Sequence, residues 1–196
     1  MSREKLIEMA LNNKKHSDAG TMEYVDNILE IPAANYYDVD IWQKEVDLIF
    51  KRTPLVLGVS KEIPNPGDYK SIDALGVPVL ITRDSDGNLN AYLNACRHRG
   101  AALVENGIGN KKRFGCPYHG WTYGEDGSLI GIASPEDFGS IDKACKSLVR
   151  LPVLEKAGII WVILTPDSKV DMEKFLFGYD ELLGMFNLSD WYVFST

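Results

Sequence analysis

From Pro54 onward the chain is written in short apolar runs, LVLGVS, VPVLITR, NLNAYLN, SLIGIA and GIIWVILT, separated by the turn signals NPGD, DSDGN and GEDGS. Runs this short, bounded by turn residues, suit strands rather than helices. The pairs Asp86-Gly87 and Asp126-Gly127 mark hairpins, because one or both central residues of a tight hairpin turn need positive φ. Many short strands spaced about ten residues apart imply an antiparallel sandwich or small barrel.

Helical patterns flank this region. Apolar residues recur at helical intervals over 2–11 (Leu6, Met9, Ala10) and 22–30 (Tyr24, Ile28), with the polar NNKKHSDAG reading as a mobile connection. Asp38 or Asp40 is placed to cap a better helix over 41–51, where Trp42, Val46, Ile49 and Phe50 recur every third or fourth residue. Near the other end, 171–186 reads as a helix with Phe175, Tyr179, Leu182, Leu183 and Phe186 as a core-facing stripe, and DWYVFST as the beginning of a strand. The expected fold class is mainly β with helical N- and C-terminal additions (α+β). Its parts are a helical segment over 1–52, a β domain over 53–166, and a helix with the start of a further domain over 167–196.

At 196 residues the chain suits one generous domain with additions rather than two full domains. The opening MSREKLIEMALNNKK is charged throughout and lacks the apolar centre of a secretory signal. No apolar run approaches the roughly 20 residues that cross a bilayer. Three cysteines, none at disulfide-framework spacing, suit a reducing compartment. We expect a cytoplasmic protein without a membrane partner. The net charge of −7 argues against nucleic-acid binding, yet between Cys96 and His119 five basic residues (Arg97, Arg99, Lys111, Lys112, Arg113) face one acid, Glu105. That positive patch is either a solvated loop or a docking face.

The same stretch, NACRHRGAALVENGIGNKKRFGCPYHGW, holds Cys96 with His98 and Cys116 with His119, each pair directly after a strand-like run. Loops held by a rigid sheet are common places for ligands. A Cys2His2 set suits zinc, but zinc fingers usually group like with like, and here each loop carries one thiol and one imidazole. The mixed arrangement is natural when two metals share the site, both thiolates on one iron and both imidazoles on the other, as in a Rieske 2Fe-2S centre.

CRHRG followed by CPYHGW resembles the Rieske signature of the large, terminal-oxygenase subunit of aromatic-ring-hydroxylating dioxygenases. The likeness runs through GVPVLITRDSDGNLNAYLNACRHRGAAL and CPYHGWTYGEDGSLIG to LPVLEKAGIIWVIL, roughly residues 36–165. RTPLVLG departs from the family, which often has a Trp leading into the first strand. The resemblance implies a Rieske-type sandwich with a two-loop cluster-binding subdomain (loops within about 94–121) and a cluster held by Cys96, His98, Cys116 and His119. It also implies a low reduction potential, since neither loop carries the second Cys that forms a disulfide in high-potential respiratory Rieske proteins.

The resemblance further implies electrons received from a ferredoxin or flavin reductase and passed to a mononuclear non-haem Fe(II) held by two His and a carboxylate. Subtracting the two cluster histidines from the three in the chain leaves only His16. The mononuclear iron is therefore expected in a C-terminal catalytic domain outside this chain, with the full-length subunit in a trimer. A stand-alone Rieske electron carrier is the alternative, although such carriers resemble only the central β part. Cys145 reads as a buried small apolar residue and His16 as a solvated one. Trp121 and Tyr123 read equally as core or as cover for the loops.

Overall fold

The described residues, 2–25 and 27–191 of a computed structural model, form helices α1 (Arg3–Ala19), α2 (Val39–Leu48), α3 (Met172–Phe175) and α4 (Tyr179–Gly184). The strands are β1 (Leu55–Val59), β2 (Asp68–Ala74), β3 (Val77–Arg83), β4 (Leu89–Leu93), β5 (Gly107–Asn110), β6 (Arg113–Gly115), β7 (Thr122–Gly124), β8 (Leu129–Gly131), β9 (Arg150–Leu151), β10 (Val153–Lys156) and β11 (Ile159–Val162). Every pairing is antiparallel, in three sheets ordered β1-β11-β10, β5-β2-β3-β4-β9 and β6-β7-β8. The expected β class with helical additions is what the chain adopts. Both Asp-Gly turns join hairpins, β3 to β4 and β7 to β8.

Strand β3 explains the layering. Val79, Leu80 and Ile81 are all fully buried, so both faces of this central strand are covered. Val79 and Ile81 join Leu57, Ala91, Leu151, Ile160 and Val162 in a core between the β1-β11-β10 sheet and the five-stranded sheet. Leu80 faces the other way, into a core with Tyr92, Phe114, Tyr123 and Leu129. The period of two along the strand thus sends alternate residues into two cores, and each large apolar side chain buried there contributes about 1.5–3 kcal/mol. The first core makes a rigid sandwich. The second sets the β6-β7-β8 sheet on its flank. Arg83 ties the sandwich together, donating from Nη1 and Nη2 to the Glu155 carboxylate on β10 at 3.1 and 2.9 Å and from Nε to the Ile63 carbonyl at 2.7 Å.

Residues 1–39 and 40–196 form separate compact units, so the helix beginning at Val39 belongs almost wholly to the second. In the first unit, NNKKHSDA is not a mobile connection but the second half of α1. Ser2 caps its start by accepting from the Lys5 amide, Lys14 pairs with Asp18 one turn on, and Gly20 closes it at φ 62°. That half, polar but for Ala19, has no apolar stripe to announce it, and no residue of α1 is buried. Residues 22–25 and 27–30, expected to be helical, are not, and Tyr24 and Ile28 are exposed. His16 forms a 3.0 Å hydrogen bond with the Thr21 hydroxyl.

The C-terminal stripe also differs from expectation. α3 and α4 are separate short helices broken at Leu176–Gly178, which resets the helical phase. Leu176, Met172, Leu183 and Leu188 pack on Ile159 and Trp161, while Phe175, Tyr179, Leu182 and Phe186 are exposed. The strand expected from DWYVFST lies outside the described residues beyond Trp191. Cys145 is exposed rather than buried, its thiol donating to Asp142 at 3.1 Å. Among the described residues no helix is long and apolar enough to cross a membrane.

Candidate metal centre

The two Cys/His loops share one backbone design. In the loop after β4, the Cys96 amide donates to the Ala101 carbonyl at 2.8 Å and the Cys96 carbonyl accepts from the Gly100 amide at 2.8 Å. In the loop between β6 and β7, the Cys116 amide donates to the Trp121 carbonyl at 2.7 Å and its carbonyl accepts from Gly120 at 3.1 Å. Each loop therefore closes on the fifth residue after its Cys and turns at a glycine, with φ of 76° at Gly100 and 66° at Gly120. Gly120 is doubly constrained, since a Cβ there would lie 2.7 Å from that of Ala133. The first loop is also held by Asn94, buried at the end of β4. Its Nδ2 donates to Ser71 and to the Val104 carbonyl, and its Oδ1 accepts from the Leu103 and Val104 amides.

The design sorts the four candidate ligands by depth. Cys96 and Cys116 are free thiols buried in the second core, 3% and 5% exposed. His98 and His119 are half-buried at its rim, their ring centroids 4.6 Å apart. The structure thus brings all four sequence-predicted residues onto two adjoining loops. Nδ1 of His119 is buried without a hydrogen-bond partner. An imidazole nitrogen in that state is costly unless something accepts its lone pair, which is what a metal ion does. Desolvation holds the His98 pKa below its ordinary value, helped by the charges of His119 and Arg99. That favours the neutral imidazole a metal requires. These donors, two soft thiols and two imidazoles, fit an iron–sulfur group. Among the described residues no three His, Cys, Asp or Glu side chains converge on a single-ion site.

Tyr123 joins the loops. Its hydroxyl accepts from the Arg97 amide at 2.9 Å and lies 3.4 Å from Cys96 Sγ. Burial above all, then the Cys96 contact, pushes its ionisation far above the ordinary range, so the phenol keeps its proton. Trp121, 2% exposed, stacks on His98 with centroids 5.1 Å apart, and Phe138 meets His98 edge-on at 5.2 Å. Asn94 and Phe138 carried no signal in the sequence, for they act from the end of a strand and from a later turn. Tyr123 and Trp121 prove to be core and loop cover at once.

The basic residues are all exposed. Arg99 lies over the Tyr118 ring at 5.9 Å and Lys111 over Tyr69 at 5.8 Å. Tyr69, Ala102, Glu105, Asn106, Lys111 and Pro117 line part of an open groove of about 660 Å³.

The Rieske [2Fe-2S] domain family matches residues 53–147. The α subunit of chlorobenzene dioxygenase from Cupriavidus sp. (strain PS12) is 36% identical over 152 residues, 76% of this chain and 34% of that protein. The large subunit of anthranilate 1,2-dioxygenase from Acinetobacter baylyi is 30% identical over 152 residues, 77% of this chain and 32% of that one. Among solved structures, naphthalene 1,2-dioxygenase from Rhodococcus sp. superposes with a TM-score of 0.73 at 32% identity, covering 80% of this chain and 36% of that one. The apo form of the quaternary ammonium Rieske monooxygenase CntA gives 0.72 at 30%, covering 80% and 45%. The chain spans about a third of the length of the curated relatives it matches. With its two like loops and buried thiols, it carries a Rieske [2Fe-2S] domain that matches the N-terminal region of the α subunits of aromatic-ring-hydroxylating dioxygenases and related Rieske oxygenases.

Proposed function

We propose that this chain is the electron-relay part of a Rieske non-haem iron oxygenase, with Cys96 and Cys116 holding one iron of the cluster and His98 and His119 the other. The observation that carries the reading is the pair of like loops that bury both thiols and turn a partnerless His119 Nδ1 inward. A bound Rieske cluster supplies one-electron transfer. The chain's residues do the rest: the thiols anchor from within the core, the imidazoles reach the rim, and Tyr123 directs its proton toward Cys96. The exposed basic residues offer a face to an acidic ferredoxin or flavin reductase. The electron acceptor in this reading is a mononuclear iron outside these 196 residues, in an oligomeric oxygenase of the cytoplasm. His16, the one histidine besides the cluster pair, cannot supply two imidazoles.

The test is direct. Purified protein should contain iron and labile sulfide in equal amounts and show a Rieske visible spectrum and paramagnetic signal, and His98→Ala or His119→Ala should lose both. A variant that keeps both signals defeats the ligand assignment, and zinc without sulfide defeats the cluster. Incubated with dithionite, ferrous iron, oxygen and a panel of arenes, the chain should cycle electrons without coupled hydroxylation. Stereospecific diol formation by this polypeptide alone would overturn the relay reading.

A further inference from the structure

Three rings enclose His98. Trp121 lies nearly parallel to it, 11° between planes, His119 meets it at 65°, and Phe138 sets its edge against it at 86°. Trp121 and His119 belong to the second ligand loop. Phe138 belongs to neither loop. It ends a single 3-10 turn, Pro135–Phe138, bracketed by left-handed residues, Ser134 at φ 48° and Gly139 at φ 65°.

That turn has little reason of its own to exist. A non-glycine residue in the left-handed region is strained, and Ser134 carries that strain. Ser134, Pro135, Glu136, Asp137 and Gly139 are all exposed, whereas Phe138 is half-buried against the loop core, 5.8 Å from the Trp121 ring. The turn delivers one aromatic side chain inward, and delivers it onto a candidate ligand. The other imidazole is treated differently: besides His98, the ring beside His119 is that of Tyr118, which is 59% exposed.

We propose that Phe138 is a positioning residue that shields the His98 side of the centre from water and, acting through His98, holds the reduction potential down. The proposal rests on the cluster reading above. Two ferric ions, two sulfides, two thiolates and two neutral imidazoles sum to no net charge, so taking up one electron creates an anion. Water stabilises an anion more than a benzyl ring does, and the apolar shell around a metal site sets its dielectric and hence its potential. Removing the ring should therefore make reduction easier.

The experiment uses the full chain loaded with its cluster and the series Phe138→Leu, Phe138→Val and Phe138→Ala. Midpoint potential is read by spectroelectrochemistry, and water access by the deuteron coupling of the reduced signal after exchange into D2O. Leu should keep the native values by restoring apolar cover. Ala should shift the reduction equilibrium upward about three- to tenfold, tenfold being 59 mV for one electron, and gain a solvent-deuteron coupling. Val should fall between, and carries the comparison with Leu if Ala fails to retain the cluster. Native potential and coupling in the smaller variants, or a downward shift, overturn the proposal even where their melting temperature falls, since Phe138 is then packing alone. Absence of iron and sulfide from the native chain would instead defeat the cluster reading, so the two failures are distinct.

Discussion

Tyr123→Phe removes one hydroxyl. The ring is fully buried and Phe preserves its packing, so the variant removes only the hydroxyl that accepts from the Arg97 amide at 2.9 Å and faces Cys96 Sγ at 3.4 Å. Because its ionisation is pushed up by burial and by Cys96, the phenol stays protonated, and with Arg97 donating to it, its own hydrogen is free for the sulfur. A hydrogen bond to a charged acceptor is worth about 1.5–3 kcal/mol. The thiolate is an acceptor in both oxidation states and a stronger one in the reduced state, so only a part of that energy, about 0.7–1.4 kcal/mol, separates them. With about 1.4 kcal/mol per tenfold and 59 mV per tenfold for one electron, the midpoint potential of Tyr123→Phe should fall by about 30–60 mV. The assay is spectroelectrochemical titration of cluster-replete protein, with iron and sulfide content measured on the same samples. An unchanged potential at full cluster content would refute the argument, and a rise would reverse it.

Two further outcomes are expected. Glu155→Gln should cost about 1–2 kcal/mol in denaturant unfolding, less than the 3–5 of a broken buried pair, because the Glu155 side chain keeps 34% exposure while Arg83 keeps 10%. Burial pushes the Glu155 carboxyl up, but its hydrogen bonds, that from Arg83 foremost, and the Arg83 charge outweigh burial and leave it below its ordinary 4.5. A depressed carboxylate stabilises above its unfolded pKa and loses that contribution as pH falls through the folded one. The gap between native and variant should therefore close in acid below pH 4.5, and a gap constant from pH 7 to 3 would remove the ion pair as its cause. Changing Lys111, Lys112 and Arg113 to Glu should slow reduction by an acidic donor and flatten its salt dependence. Equal rates at low salt would make the patch a solvated loop.

The parts of this structure legible in the sequence are those whose physics is local. Asp86-Gly87 and Asp126-Gly127 announce hairpins because both residue types tolerate the turn, and the Cys/His spacings announce two like loops because each loop is short. Two other hairpins turn at Leu75-Gly76 and Ala157-Gly158, all four residues at positive φ. Neither Leu nor Ala prefers that region, so tertiary pairing imposes it. The second half of α1 was hidden for the opposite reason: capping and a Lys14–Asp18 pair hold it without an apolar face. The stripe at 175–186 misled because its periodicity assumes one continuous helix, and with the break at Leu176–Gly178 every one of its side chains but Leu183 is left outward. Around the centre, the two loops and the aromatic cover of Trp121 and Tyr123 could be read, but the individual contacts could not. Tyr123 reaches Cys96 from 27 residues away, and nothing in the spacing of either residue encodes the meeting.

The difference in depth between thiols and imidazoles has a consequence for the protein without metal. Cys96 and Cys116 are part of the same core as Phe114, Trp121 and Tyr123, so each sulfur is also packing for the β6-β7-β8 sheet. His98 and His119 sit at the rim, and neither belongs to that core's buried set. Cys116→Ala should therefore destabilise the apo-protein by about 1 kcal/mol or more through the void it leaves, in addition to abolishing metal binding. His119→Ala should abolish metal binding while leaving apo stability at or above the native value, because it removes the buried nitrogen that has no partner without a metal. Urea unfolding of the two apo variants separates these effects. Equal losses in both would mean that the loops are not sorted by depth in solution, and that the inward turn of His119 is not held by the loop's own backbone.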